Sequence, residues 1–524
     1  MSLRLRIIRH GPNDERGFGL IVGLVAAIAV VALAVLIVNE AVDQSWLVVA
    51  LSAFGLLWLF GPLLMPGVGP ILQPEWFRLL PYTPSRIARY LAPSEMISVG
   101  TCITLVALTS LTVVATKYGI GIVTVSIVAI ITQLYFLVWL GRLASVATAR
   151  LLRTTAGAII TAFQMSTLLA VSFAGWVPIA AVVLPDLGQG DTSIVTPETP
   201  GAVPSIIENG LSALPTGWGV ASVTNAIDRM TLLEVTMPIV GLLIGGMIFQ
   251  IAWVALTAYT LRQPPARTES NIRARPHIFS QARPNSAVWA VVVKELHTWF
   301  RDPHRRLRLW HAWLTPLLMI LIIAPTGWSW ALPFIGIAAA TLAGMVAVNT
   351  YSLDGTALWQ LLTTPKSLAA DVWGRQIALL LLLGIPIIIG TIILAIISQS
   401  AFGIIAVSIT IFSLAFACVT TTFTSLLIPS IGSDARERIS LLRSSGNATG
   451  AEYTVCTAII AAAIAYGFVV SNVNLDTSWF YSIAISITLG LGVLLGLTPL
   501  VVRYIGRAGS GLLLAMIASD NGRR

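Results

Sequence analysis

Lys117, Lys294 and Lys366 are the only lysines among 524 residues, and none follows a glycine. A phosphate-cradling GxxxxGK[ST] loop needs a Lys after Gly to reach the β- and γ-phosphates. The chain has no ATPase site of that kind, and ATP-driven work would need a partner to hydrolyse the nucleotide. Cys102, Cys418 and Cys456 lie in or beside apolar runs, far apart in sequence. That leaves no CxxC metal or redox spacing, and the thiols read as small buried side chains. His277, His297 and His304 fall in a basic stretch that holds no carboxylate cluster, so no metal site is expected. An acid–base enzyme would need a preorganised acidic pair; Glu40, Asp43 and Asp191 are the candidates, and nothing in their spacing pairs them.

What must position these few groups follows from composition. Hydrophobic residues make up 56% of the chain and charged residues 10%, against about 25% charge in ordinary globular proteins. Apolar stretches long enough to cross about 30 Å of hydrocarbon fall at 18–38, 46–65, 96–115, 119–140, 155–184, 236–261, 309–325, 328–348, 376–398, 403–429, 453–471 and 479–502. The expectation is an all-α polytopic membrane protein with about 12 transmembrane helices. The first apolar run exceeds the usual h-region of a signal peptide and reads as a retained span. With the N-terminus inside, 29 of the 31 Lys and Arg residues fall in cytoplasmic segments. Basic loops resist translocation, so both termini are expected in the cytoplasm and the chain in the plasma (inner) membrane. No ionisable residue then needs to sit deep in the bilayer, which weighs against a proton relay.

Residues 262–308 are basic and carry Pro-rich QPPARTES and ARPNSA portions. They divide the chain into a first six-span half (1–261, with an outer loop at 185–235), a basic cytoplasmic linker with a lead-in helix (262–308), and a second six-span half with a cytoplasmic tail (309–524). Leu80, Thr83, Pro84 and Ala88 align at constant offset with Leu361, Thr364, Pro365 and Ala369, both sets lying between the second and third spans of a half. Duplication explains the match. Before the second half, Val288, Val292, Leu296 and Trp299 recur at helical spacing between charged positions, which predicts an amphipathic helix at the inner surface.

KELHTWFRDP (Lys294 to Pro303) and NTYSLDGTALWQLLTTPKSLAADVWGRQIALL (Asn349 to Leu380) resemble two segments of the type-2 permeases of ATP-binding-cassette (ABC) exporters: the stretch leading into a six-span unit, and the loop after its second span. The overall pattern is similar to tandem-duplicated twelve-span permeases of actinobacterial drug and antibiotic exporters. The specific match covers about 60 residues of the second half; in the first half Gln73 and Pro74 stand in place of the Asp-Gly pair. The resemblance implies a permease without its own ATPase, no cofactor bound by this chain, and ATP and Mg²⁺ held on two copies of a cytoplasmic ABC ATPase subunit. It also implies a coupling helix in each half, within 75–91 and 356–371. The residues it offers to that partner are Glu75, Arg78, Pro84, Arg86 and Arg89 in one loop and Asp354, Trp359, Pro365, Lys366, Asp371 and Arg375 in the other. Lys294, Glu295, Arg301 and Asp302 belong to the lead-in helix. Solvated residues that merely set topology are the plain alternative for each.

Polar and aromatic residues within the spans are candidates for a substrate path: Gln133, Gln164, Phe173, Trp176, Asn349 and Thr350. A Gln in hydrocarbon needs a partner, so each either bonds a neighbouring helix or faces a wet cavity. Such a cavity suits a hydrophobic or amphipathic drug, antibiotic, peptide or lipid. Two other classes compete. A major-facilitator carrier also has six plus six spans, but PGVGPILQPEWFR lacks that family's charged loop after span two. An outer-face enzyme using lipid-linked donors would need the acidic pair.

Overall fold

The computed structural model describes residues 14–40, 42–64, 74–77, 80–151, 155–183, 210–262, 286–354, 357–364, 367–429, 448–472 and 479–521. The described chain is helical. It runs through α1 (Asp14–Val38), α2 (Ser45–Leu64), α3 (Pro84–Glu95), α4 (Val99–Ala115) and α5 (Ile120–Leu151). Next come α6 (Thr155–Ala174), α7 (Trp176–Val183), α8 (Trp218–Ile227) and α9 (Leu232–Arg262). Then α10 (Ala287–Arg301), α11 (Pro303–Ile323), α12 (Ile335–Ala347), α13 (Thr350–Asp354), α14 (Leu358–Thr363) and α15 (Ser367–Leu379) follow. The last four are α16 (Ile385–Ser398), α17 (Gly403–Leu427), α18 (Ala448–Asn472) and α19 (Trp479–Asn521).

Eight stretches of helix among the described residues are long and apolar enough to cross a membrane, or nine when the bent pair α3–α4 counts as one span. A chain with this many apolar helices is membrane-embedded.

The helices form two compact units, one of residues 1–157 with 195–268 and one of 158–194 with 269–524. In the first, α5 is the hub, packed by α2, α4, α8 and α9. Gly241 and Gly245 on α9 sit where a Cβ would come within 2.5 Å of the Trp218 ring and 2.9 Å of the Phe136 ring, so this small-xxx-small pair serves close packing. At Gly492 and Gly496 a Cβ would meet, among the described residues, nothing within 4 Å beyond its own stretch of helix. In the second unit α17 is the hub, packed by α12, α16, α18 and α19. Ala170, Ala174 and Val177 of α6 and α7 join Met319, Ile323 and Trp328 in one of its cores.

The internal repeat marks the same structural step twice. Thr83 is extended (φ −65°, ψ 143°) and Pro84 opens α3, where the missing N–H of proline costs nothing. Thr364 is likewise extended (φ −85°, ψ 124°) just before α15. The two copies then diverge. α3 and α4 meet at a 46° bend, with Ser98 capping α4 through its Oγ; α15 continues into α16 through one π turn, Leu380–Gly384.

Candidate functional site

Ser286 opens the lead-in helix α10: its backbone is extended and its Oγ accepts the Trp289 N–H, satisfying a donor that the first turn leaves free. Val292, Leu296 and Trp299 form the buried stripe that their spacing predicts. Glu295 stands on that stripe too, 1% exposed. The buried face lies along α15, and the approach is close because residue 374 is glycine. A Cβ there would come within 2.5 Å of Val291 Cβ and 3.0 Å of the Val288 carbonyl oxygen.

A desolvated carboxylate must be matched, and Glu295 is matched twice. Arg305, in the first turn of α11, places Nη1 2.7 Å from Glu295 Oε2. Arg375 of α15 places Nη1 3.2 Å from Oε1, an ion pair outside hydrogen-bond geometry. Arg375 also donates through Nε to Asp371 Oδ2 at 2.7 Å and through Nη2 to Asp354. Asp354, the last residue of α13, takes Arg305 Nη2 at 3.1 Å and Lys294 Nζ at 3.3 Å. Three cations and three carboxylates close into one network joining α10, α11, α13 and α15. Aromatic faces complete it: the Arg375 guanidinium lies 4.4 Å from the Tyr351 ring centroid, and that of Arg305 5.8 Å from Trp299. A cleft of about 440 Å³ opens beside it, lined by Lys294, Asp354, Leu358, Gln360, Asp371 and Arg375.

Burial alone would raise the Glu295 carboxyl, but Arg375 and Arg305 outweigh it and hold the group below its ordinary 4.5. A carboxyl lowered in the folded state contributes stability above its unfolded value, and loses it as pH falls through the folded one. The thermal midpoint of the purified chain in detergent is therefore expected to decline once pH drops below about 4.5. Glu295→Gln should lower the midpoint at neutral pH and make the acid decline shallower; an acid limb identical to that of the unsubstituted chain would remove Glu295 from it.

Arg301 is exposed and Asp302 ends α10 with an extended backbone. Asp371 and Arg375, expected at a partner's surface, lie inside at 4% and 6% exposure. Their charges face each other, and what they hold is the lead-in helix. Trp359 remains outward, 52% exposed. Pro365 and Lys366 lie outside the described residues, as do Arg78 and the side chain of Glu75.

In the first unit, α3 buries Ile87, Leu91 and Ala92 against Trp139, Trp253 and Leu261, and Glu95 takes Arg142 Nε at 3.1 Å. Pro84 is half-buried at its start, and Arg86 and Arg89 are exposed.

The proposed path residues divide between the two units. Gln133 belongs to the first unit, the others to the second. Gln133 is a clamp between helices: it donates to the carbonyls of Pro215 (3.3 Å) and Thr216 (3.1 Å) and accepts from Gly219 N–H (3.0 Å), so it fastens α8 to α5. Gln164 and Phe173 are half-buried on α6; Trp176 is exposed and donates to the Phe173 carbonyl at 2.9 Å. Asn349 and Thr350 are buried at the break between α12 and α13, where Asn349 has φ 71°.

Sequence reading passed over Arg305 as one member of a basic run. Its signal was there: Arg305, Leu309 and Ala312 share a buried face at helical steps. It also passed over Arg308, which lies 2.7 Å from Glu452 Oε1 and links α11 to α18.

The outer carboxylates are occupied separately. Glu40 pairs with Lys117 at 2.7 Å, and that hydrogen bond holds its carboxyl below the ordinary range. Asp43 accepts the Ser45 N–H at 2.8 Å, while Asp191 lies outside the described residues. Among the described residues, no three His, Cys, Asp or Glu side chains are placed to hold a metal ion. Compared with known proteins, the chain matches no family model, no curated protein and no solved structure.

Proposed function

We propose that this chain is the membrane-spanning permease subunit of an ABC exporter in the plasma (inner) membrane. Its twelve spans form one pathway with both termini in the cytoplasm. It moves a hydrophobic or amphipathic compound (a drug, antibiotic, peptide or lipid) outward, while two copies of a separate cytoplasmic ATPase subunit bind ATP and Mg²⁺. The observation that carries the reading is the ion cluster under α10. A partner that drives a membrane helix from outside the bilayer needs a stiff lever rooted in a span, and here the lead-in helix α10, the start of α11, α13 and the base of α15 are tied by charges that cannot separate cheaply. Isolation of the tagged chain in mild detergent from its native host tests it. A nucleotide-binding subunit in stoichiometric amount is the expected companion, and a chain that elutes alone under conditions preserving a known permease complex counts against the reading.

A second reading, an ion-coupled carrier, draws on Arg308 and Glu452, which pair within helices of membrane-spanning length, and on His311, buried on the same helix as Arg308. Such groups serve as proton relays in carriers. Substrate movement that follows an imposed ion gradient without ATP would select it.

A further inference from the structure

In the first unit α5 and α9 pack side by side and end together. Arg150 stands in the last turn of α5 and Arg262 in the last turn of α9. The Arg150 guanidinium lies 4.0 Å from the ring centroid of Tyr259, one turn before Arg262. A helix C-terminus favours a cation, which accounts for both arginines but not for how they are held. Arg150 Nη1 is shut off from water without a hydrogen-bond partner. Arg262 Nη2 meets a neutral oxygen, Ser85 Oγ, at 3.4 Å. Among the described residues neither arginine has a carboxylate within ion-pair distance. A guanidinium stacked on a ring keeps its edge, where the N–H donors lie, free for an acceptor, and a desolvated donor without one is costly. An anion is what the joined ends of α5 and α9 lack.

The rest of α9 says what carries that anion. Ile244, Ile248, Ile251, Ala255, Tyr259 and Arg262 are all exposed, and steps of three and four residues put them on one face of the helix. From Ile251 to Arg262 the helix rises about 16 Å at about 1.5 Å per residue, close to one leaflet's share of a hydrocarbon core about 30 Å thick. An exposed apolar face that gives way to Tyr and Arg at this depth has the profile of a lipid, tail first and headgroup last.

We infer that the joined ends of α5 and α9 bind one anionic phospholipid, with its phosphate on Arg150 and Arg262 beside Tyr259 and an acyl chain along Ile251 and Ile248. Arg takes phosphate oxygens in pairs of hydrogen bonds. Choline on a zwitterionic lipid would bring a third cation to a site that already holds two. An acidic protein segment would match the arginines and leave the isoleucines uncovered, and so would free phosphate. The inference needs these helices to lie in a membrane; it stands apart from the permease reading.

The test titrates the full chain in detergent with phosphatidylglycerol, and separately with phosphatidylcholine of the same acyl chains, counting bound lipids by native mass spectrometry. The first phosphatidylglycerol is expected to bind about tenfold more tightly than the first phosphatidylcholine, and to raise the thermal midpoint. Arg150→Gln/Arg262→Gln should erase both the preference and the rise. Tyr259→Leu should weaken the preference about threefold. Arg503→Gln/Arg507→Gln, the same charge change at another exposed pair, should leave it in place. Glycerol phosphate, the headgroup without its tails, should not displace the lipid at equal concentration.

No preference for phosphatidylglycerol in the unsubstituted chain overturns the inference, as does a preference that survives in Arg150→Gln/Arg262→Gln. Equal losses in the two double variants reduce the effect to net charge and overturn it too. Displacement by an equal concentration of glycerol phosphate overturns it in favour of a free phosphate site. Should the α5–α9 double variant fail to fold in phosphatidylcholine, Tyr259→Leu and the glycerol phosphate competition decide the question.

Discussion

Arg375→Ala is expected to destabilise the chain by about 3–5 kcal/mol, the cost of leaving buried carboxylates without their counter-charge. The effect should be the largest of any single change in the second unit, because Arg375 touches Glu295, Asp354 and Asp371 at once. Truncation strands Asp371 and leaves Glu295 and Asp354 to the charges of Arg305 and Lys294 alone. Arg375→Lys keeps the charge but lacks the planar fork that reaches several acceptors together, so its loss should be intermediate. Removing Asp371 along with Arg375 should recover part of the deficit, since one stranded charge disappears with its partner. Thermal unfolding in detergent, followed by tryptophan fluorescence, reads all three variants. An Arg375→Ala midpoint close to that of the unsubstituted chain would show that the network is not closed in solution.

Gly374→Val should have the second largest effect, acting on position more than on charge. The new Cβ would lie 2.5 Å from Val291 Cβ and 3.0 Å from a main-chain oxygen of α10, and a backbone atom cannot rotate away as a side chain can. Overpacking of this kind costs about 1–3 kcal/mol and is relieved by backbone movement. α10 would then move off α15, and the Glu295–Arg375 and Lys294–Asp354 pairs would lengthen with it. The expected signature is a chain that still inserts and purifies, with faster proteolysis around 286–301 and little stimulation of a bound ATPase. Gly374→Ala should show the same trend more weakly. Unchanged proteolysis and unchanged stimulation in the Val variant would mean that the contact between α10 and α15 carries no signal.

Much of this arrangement was legible in the sequence. The step Val288, Val292, Leu296, Trp299 located the lead-in helix, and the apolar runs located membrane helices, because periodicity and run length are local properties. The Asp-Gly and Gly-Arg steps marked Asp354 and Arg375 as worth attention. What spacing could not supply was direction. Asp371 and Arg375 lie one helical turn apart and would read identically on a solvated face; only the covering of α15 by α10 decides that they point inward. Arg305 was hidden in a basic run in which Arg306 faces outward. Gln133 was legible as a polar group needing a partner, but its partners lie more than 80 residues away. Non-local pairing of that kind is not encoded in a window. The contrast between the halves was half legible: the loss of Asp-Gly in the first copy was visible, whereas the exposed arginines of α3 needed the helix to be placed.

The most direct measurement is ATP hydrolysis by the isolated nucleotide-binding subunit, titrated with the purified chain in nanodiscs. The permease account predicts that hydrolysis rises with added chain and saturates at two subunits per chain, and that Gly374→Val binds the subunit but fails to stimulate it. Hydrolysis indifferent to the chain, with substrate movement that follows an ion gradient in proteoliposomes, would contradict the account and place the chain among ion-coupled carriers.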